Sequence, residues 1–223
     1  MQAKQKGFTL VEIAIVLVII GLLLGGILKG QELISNARVR NVADQVNAVK
    51  AAYFAFQDRY RALPGDYLQA TTNIQNVPAN GNGNGQIDAN EQAAAWRHLA
   101  NAGFISCAQC TTGDSALPPN TTNSPVNAYG GVMAITYDGN YNNLAAASGP
   151  PLNNLKSGNQ IPSNILAEVD RKIDDGNPRT GTFRFSPYAA TGTAPVTANC
   201  AALGADNWQV VAADSNCGAA ATF

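Results

Sequence analysis

The sequence predicts an α+β fold, a long N-terminal helical stem packed on a small antiparallel β-sheet head. Three observations carry this. From Phe8 to Leu28 the chain is strongly apolar and holds a single acid, Glu12. No proline stands between Gln5 and Leu63, and Pro64-Gly65 is the first helix terminator. After it the chain breaks into turn-rich segments around a few short apolar or alternating stretches, the pattern of a loop-rich head with few strands.

The apolar run, about 21 residues at about 1.5 Å of rise each, crosses a hydrocarbon core of about 30 Å as a helix. Ahead of it lies Met1-Gln-Ala-Lys-Gln-Lys-Gly7, whose Lys4 and Lys6 place that end in the cytoplasm and the rest outside. A secretory signal peptide has a shorter apolar core, with its small-residue cleavage site after it. Here the run is longer and the small residue precedes it. A carboxylate within an apolar span is costly in lipid, so Glu12 is a candidate functional residue.

Gly7-Phe8-Thr9-Leu10-Val11-Glu12 resembles the prepilin processing motif of type IV pilins and type II secretion pseudopilins. The resemblance covers Met1 to about Pro64 and is most specific over residues 7–12. It implies cleavage after Gly7 by a prepilin peptidase and methylation of the new amine on Phe8. Residues 1–7 are then a leader, 8–63 the stem with 8–28 in the membrane or a filament core, and 64–223 a globular extracellular head. The fold expected is pilin-like. The resemblance also gives Glu12 a mechanism: it pairs with the N-terminal amine of a neighbouring subunit. In apolar surroundings such a pair removes much of the cost of either charge and favours one axial register.

Past the membrane run, apolar residues recur at Val39, Val42, Val46, Val49, Tyr53, Phe56, Tyr60 and Leu63, in steps of three and four. Arg38, Asp44, Lys50, Asp58, Arg59 and Arg61 lie off that seam. The spacing predicts a helix that continues to about Arg61 and buries one face against the head. Gly21, Gly25, Gly26 and Gly30 suit close helix–helix approach and soften the apolar half.

In the head, Asn80-Gly-Asn82-Gly-Asn84-Gly85-Gln86-Ile87-Asp88-Ala-Asn-Glu91 has the spacing of a 12-residue EF-hand calcium loop. Oxygen side chains fall at positions 1, 3, 5 and 9, Gly85 stands at the sharp turn, Gln86 offers its backbone carbonyl, and Glu91 closes the loop. The candidate Ca2+ ligands are Asn80, Asn82, Asn84, Gln86, Asp88 and Glu91. Asparagines stand where aspartates are usual, and Val77-Pro78 replaces an entering helix. The competing reading is an Asn-Gly turn segment. A helix is expected from Glu91 to near Gly103, and another from about Ser163 to Ile173. The acids Asp170, Asp174 and Asp175 at the end of the second read as a helix C-terminus and turn.

Four cysteines in an exported head imply disulfides. Four allow three pairings. Cys107 with Cys110 is local, and Cys200 with Cys217 closes a C-terminal loop; the second would resemble the C-terminal disulfide loop of many pilins. Redox catalysis at Cys107-x-x-Cys110 lacks a surrounding βαβ pattern. A zinc set of His98, Cys107 and Cys110 runs against the oxidising compartment. Strands are expected at Gly131–Tyr137, Thr182–Ser186 and Asn207–Ala212, with Tyr53, Phe56 and Trp208 as shared core.

Residues 66–223 hold six Lys/Arg against eleven Asp/Glu, which argues against a nucleic-acid groove. With one histidine, His98, the chain offers no nucleophile–base–acid set, so an enzyme is not expected. The expectation is a structural subunit of an extracellular type IV pilus-like filament, a helical homopolymer. It would be handled by the prepilin peptidase and inner-membrane assembly machinery, and held in the inner membrane as a precursor. The alternative is a periplasmic pseudopilin of a type II secretion system.

Overall fold

A computed structural model describes residues 9–143, 148–201 and 206–223. The chain divides into two compact units, Met1–Arg38 and Val39–Phe223. Helix α1, Leu10–Tyr60, runs through the boundary between them. In the first unit its apolar side chains are open to the surroundings, Leu10 at 90% and Leu22 at 73% exposure among them. It is the one described helix long and apolar enough to cross a membrane. No added Cβ at Gly21, Gly25, Gly26 or Gly30 would touch anything, so nothing within the described chain asks for glycine there.

The second unit buries the predicted seam. Val39, Val42, Val46, Val49, Tyr53 and Phe56 are all buried. Phe56 is fully enclosed, with its ring 4.6 Å from Tyr60, 5.9 Å from Phe104 and 6.1 Å from His98 by centroid. The helix stops at Tyr60 because Arg61 turns to φ +54° and the proline follows.

The head then builds α2 (Ala70–Asn73), α3 (Gln92–Asn101), α4 (Ala108–Thr112), β1 (Ala134–Asp138), β2 (Leu152–Lys156), α5 (Ser163–Ile173), β3 (Phe183–Phe185), α6 (Thr197–Cys200) and β4 (Ala219–Thr222). The sheet is antiparallel throughout, in the order β1-β2-β4-β3. Ile135 faces Leu155, Leu155 faces Ala221, and Phe183 faces Ala221 across the ladders. These residues join the seam of α1, Trp96 and Leu99 of α3, and Leu166 of α5 in one core. Both cysteine pairs, Cys107–Cys110 and Cys200–Cys217, are disulfides.

One expected strand is corrected. Asn207–Ala212 is not a strand but irregular chain. Trp208 is buried as expected, at 3% exposure, yet Val211 stands at 99%. Among the described residues the segment has no ladder partner: Gln209 N–H goes to the Cys200 carbonyl, and Trp208 is held by its indole N–H on Asp170 Oδ2 at 2.7 Å. Two strands were not expected. Three of the five residues of β2 are asparagine or lysine, and β4 is three alanines and a threonine. In β2, Asn154 is fully buried, with its amide on the Leu152 and Asp138 carbonyls. Lys156, also fully buried, reaches Asp138 Oδ1 at 2.7 Å and the Asn140 carbonyl at 2.9 Å. In β4 small side chains let the strand lie buried between β2 and β3, and Phe223 beyond it stacks on Tyr53 at 3.9 Å.

Candidate functional site

The site residues expected from the sequence fall in two places, one in each unit. In the first, Gly7 and Phe8 lie outside the described residues. Glu12 is described, exposed in the first turn of α1. Its Oε2 accepts the Thr9 backbone N–H at 2.7 Å and the Thr9 hydroxyl at 2.8 Å. Thr9 Oγ1 in turn accepts the Glu12 N–H at 3.3 Å. This reciprocal pair is a capping box, a role for Glu12 that the sequence reading did not assign although the Thr9-x-x-Glu12 spacing permits it. The carboxylate thus sits beside the first peptide groups of the helix, where the positive end of the helix dipole also favours it.

In the second unit, the loop 80–91 gathers most of its expected ligands. Asn82 and Asn84 both donate an amide N–H to Asp88 Oδ2 at 2.9 Å. Their carbonyl oxygens accept N–H groups two residues on, Asn84 and Gln86. Glu91, only 4% exposed, accepts Asn82 N–H at 2.9 Å and Asp88 N–H at 3.1 Å. Burial pushes its carboxyl above the ordinary range; those N–H groups pull it back, and the charges of Asp66 and Asp88 push it further up. Ile87 is fully buried and pins the loop to the sheet: its N–H meets Asn153 Oδ1 at 3.0 Å and its carbonyl takes Tyr137 N–H at 2.8 Å.

Asn80 stands apart. Its side-chain oxygen accepts Thr71 N–H at 2.9 Å, so the first expected ligand serves α2 instead. Asp66 takes a place in the loop that sequence spacing could not assign. It is 4% exposed, and its two oxygens accept Asn84 N–H at 3.0 Å and Gly85 N–H at 2.8 Å. The only signal for it was an acid directly after Pro64-Gly65, where the stem ends. The donor set fits an oxygen-seeking cation in chemistry: Asn82, Asn84, Asp88 and Glu91, with Asp66 as a third carboxylate around the loop.

His98, Cys107 and Cys110 do not form a metal set. The cysteines are paired, and His98 Nδ1 accepts the Gly65 N–H at 2.9 Å, fastening the stem's end to α3.

The family described as prokaryotic N-terminal methylation motif matches residues 2–28. No curated protein matches the chain. No solved structure matches it. The matched segment holds Gly7, Phe8, the Thr9–Glu12 cap and the apolar half of α1, and it implies prepilin peptidase processing. The chain carries the hallmark of the type IV pilins and pseudopilins, and its N-terminal helix fits a membrane-anchored precursor of that class.

Proposed function

We propose that this chain is a structural subunit of an extracellular type IV pilus-like filament, cut after Gly7, methylated on Phe8 and polymerised through its apolar stem. The observation that carries the reading is the first unit of α1, an apolar helix left open along its length with one carboxylate, Glu12, in its first turn. Such a surface is stable in lipid or against copies of itself. Glu12 pairs with the amine of a neighbour's Phe8 and sets the register. A pseudopilin of a type II secretion system shares these residues and differs in making a short periplasmic filament.

The cap gives this proposal a sharp test. Glu12→Gln keeps an oxygen for the Thr9 N–H but loses the charge, whereas Glu12→Ala loses both. Pairing in the assembly requires both variants to fail to form fibres while the precursor is still processed. If Glu12→Gln assembles normally and only Glu12→Ala fails, the residue acts as a helix cap and the pairing is wrong. Long surface fibres of processed chain support the pilus; processed chain held in the envelope without them supports the pseudopilus.

We further propose that Asn82, Asn84, Gln86, Asp88 and Glu91, aided by Asp66, hold Ca2+ in the 80–91 loop. What supports it is that the loop holds Asn82, Asn84, Asp88 and Glu91 together through hydrogen bonds, with the Asp66 carboxylate on the same loop. An affinity of about 0.1–1 mM is expected, as in extracellular modules. Calcium should raise the melting temperature of the protein, less so in Asp88→Asn. A melting curve indifferent to calcium in both would count against it.

A further inference from the structure

The 80–91 loop holds three asparagines that are each followed by glycine: Asn80-Gly81, Asn82-Gly83 and Asn84-Gly85. Asparagine is most labile in this setting, because no side chain on the next residue hinders its backbone nitrogen from reaching the amide carbon. All three asparagines are exposed, so sequence and exposure rank them equal. Their hydrogen bonds do not.

Three contacts govern how readily such a pair closes to a ring: what accepts the glycine N–H, what polarises the asparagine carbonyl, and what holds the NH2 group that must leave. At Asn84 all three are in place. The Gly85 N–H donates to Asp66 Oδ2 at 2.8 Å, a carboxylate oxygen able to take that proton. Asn84 Oδ1 accepts the Gln86 N–H at 2.8 Å, which draws charge from the amide carbon and steadies the oxyanion. Asn84 Nδ2 donates to Asp88 Oδ2 at 2.9 Å. Asn82 has only the last two: Oδ1 accepts the Asn84 N–H and Nδ2 meets the same Asp88 oxygen. The Gly83 N–H instead meets the Asp66 backbone carbonyl at 3.1 Å, which is no base. Asn80 Oδ1 accepts the Thr71 N–H, and the Gly81 N–H meets the Tyr67 carbonyl at 2.9 Å.

We propose that Asn84 is a site of spontaneous covalent modification, closing on Gly85 to a succinimide and opening to aspartate or isoaspartate, with Asp66 as the base. The Gly85 nitrogen bonds to Asn84 Cγ as its proton passes to Asp66. The Cγ–Nδ2 bond then breaks, and the amide takes the proton back and leaves as ammonia. Water opens the ring at either carbonyl. The sum is asparagine plus water to a carboxylic acid plus ammonia, with nothing oxidised or reduced. Asp66 is fixed for this role, since its other oxygen accepts the Asn84 N–H at 3.0 Å. An aspartate at 84 would face Asp88 with a carboxylate in place of an NH2 group, so a cation between them is favoured; this consequence alone rests on the calcium reading.

The full chain in detergent is aged in mildly alkaline buffer, folded and in urea, and the loop peptides are sequenced by mass spectrometry. Each conversion adds about one dalton. In the folded chain Asn84 should convert about tenfold or more faster than Asn80 or Asn82, and in urea the three should convert alike. Asp66→Asn, checked for folding by circular dichroism, keeps an acceptor but no base and should abolish that lead. Equal rates in the folded chain, a lead at Asn80 or Asn82, no conversion at Asn84, or a lead that survives in folded Asp66→Asn overturns the proposal. If the variant does not fold, the comparison of folded with urea-treated wild type decides it: a lead in both overturns it, and a lead in the folded chain alone sustains it. Calcium should raise the melting temperature of Asn84→Asp more than that of wild type. Failure there counts against the calcium reading and leaves the mass shift at Asn84 to stand by itself.

Discussion

His98 shows what burial does to a single residue. It is 1% exposed on α3, accepts the Gly65 N–H, and burial pushes its pKa down to about 4 from an ordinary 6.5. The folded state therefore holds it neutral. Its contribution to stability is full above pH 6.5 and is lost as pH falls from 6.5 to 4, by up to about 3 kcal/mol. Asp170 works the other way. Burial, chiefly, raises it to about 6, so its contribution is full below its ordinary value and is lost as pH rises through 6. Comparing wild type with His98→Asn isolates the histidine, since asparagine keeps an acceptor for Gly65 N–H but cannot titrate. Urea unfolding at pH 7 and pH 4.5 should show a large loss in wild type and a smaller one in the variant. Equal losses would mean that His98 is not the titrating group.

At the scale of elements, α1 is two helices in its surroundings though one in its hydrogen bonds. Residues up to Arg38 belong to one unit, and the seam from Val39 to Phe56 belongs to the core of the other. Phe56 is the most enclosed point of that seam, ringed by Tyr60, Tyr67, His98 and Phe104. Phe56→Ala should therefore destabilise the head by about 3–5 kcal/mol. Phe54, two residues earlier and 46% exposed, should cost far less when replaced by alanine. Paired thermal melts of the two variants check this, and equal losses would contradict the packing described.

At the scale of the molecule, the two disulfides are unequal. Cys200–Cys217 closes 17 residues and ties α6 to the approach of β4, where Ile161 and Cys217 also form an isolated bridge. Cys107–Cys110 closes three residues around the start of α4. Loop-closure entropy grows with the enclosed length and is about 3 kcal/mol for a loop of about 15 residues. Replacing Cys200 and Cys217 by serine should lower the melting temperature markedly, and replacing Cys107 and Cys110 should lower it less. The reverse order would mean that the short bridge sustains α4 in a way its length does not suggest.

The N-terminal third was legible because its information is local. A continuous apolar run, an acid at a fixed distance from a glycine, and steps of three and four up to a proline each follow from neighbouring residues. The apolar seam and its terminator therefore appear where they were expected. The strands Ala134–Asp138 and Phe183–Phe185 were legible too, within a few residues, from apolar or alternating side chains. What tertiary structure alone decided was where local preference is weak or opposed. Leu152–Lys156 and Ala219–Thr222 became the two inner strands because partners on either side complete their ladders, although asparagine, lysine and alanine do not favour strands. Asn207–Ala212 looks like a strand, yet no ladder among the described residues reaches it. Asp66 joins the 80–91 loop, and Asp170 meets Trp208 across 38 residues of chain, through contacts that no spacing in a sequence encodes.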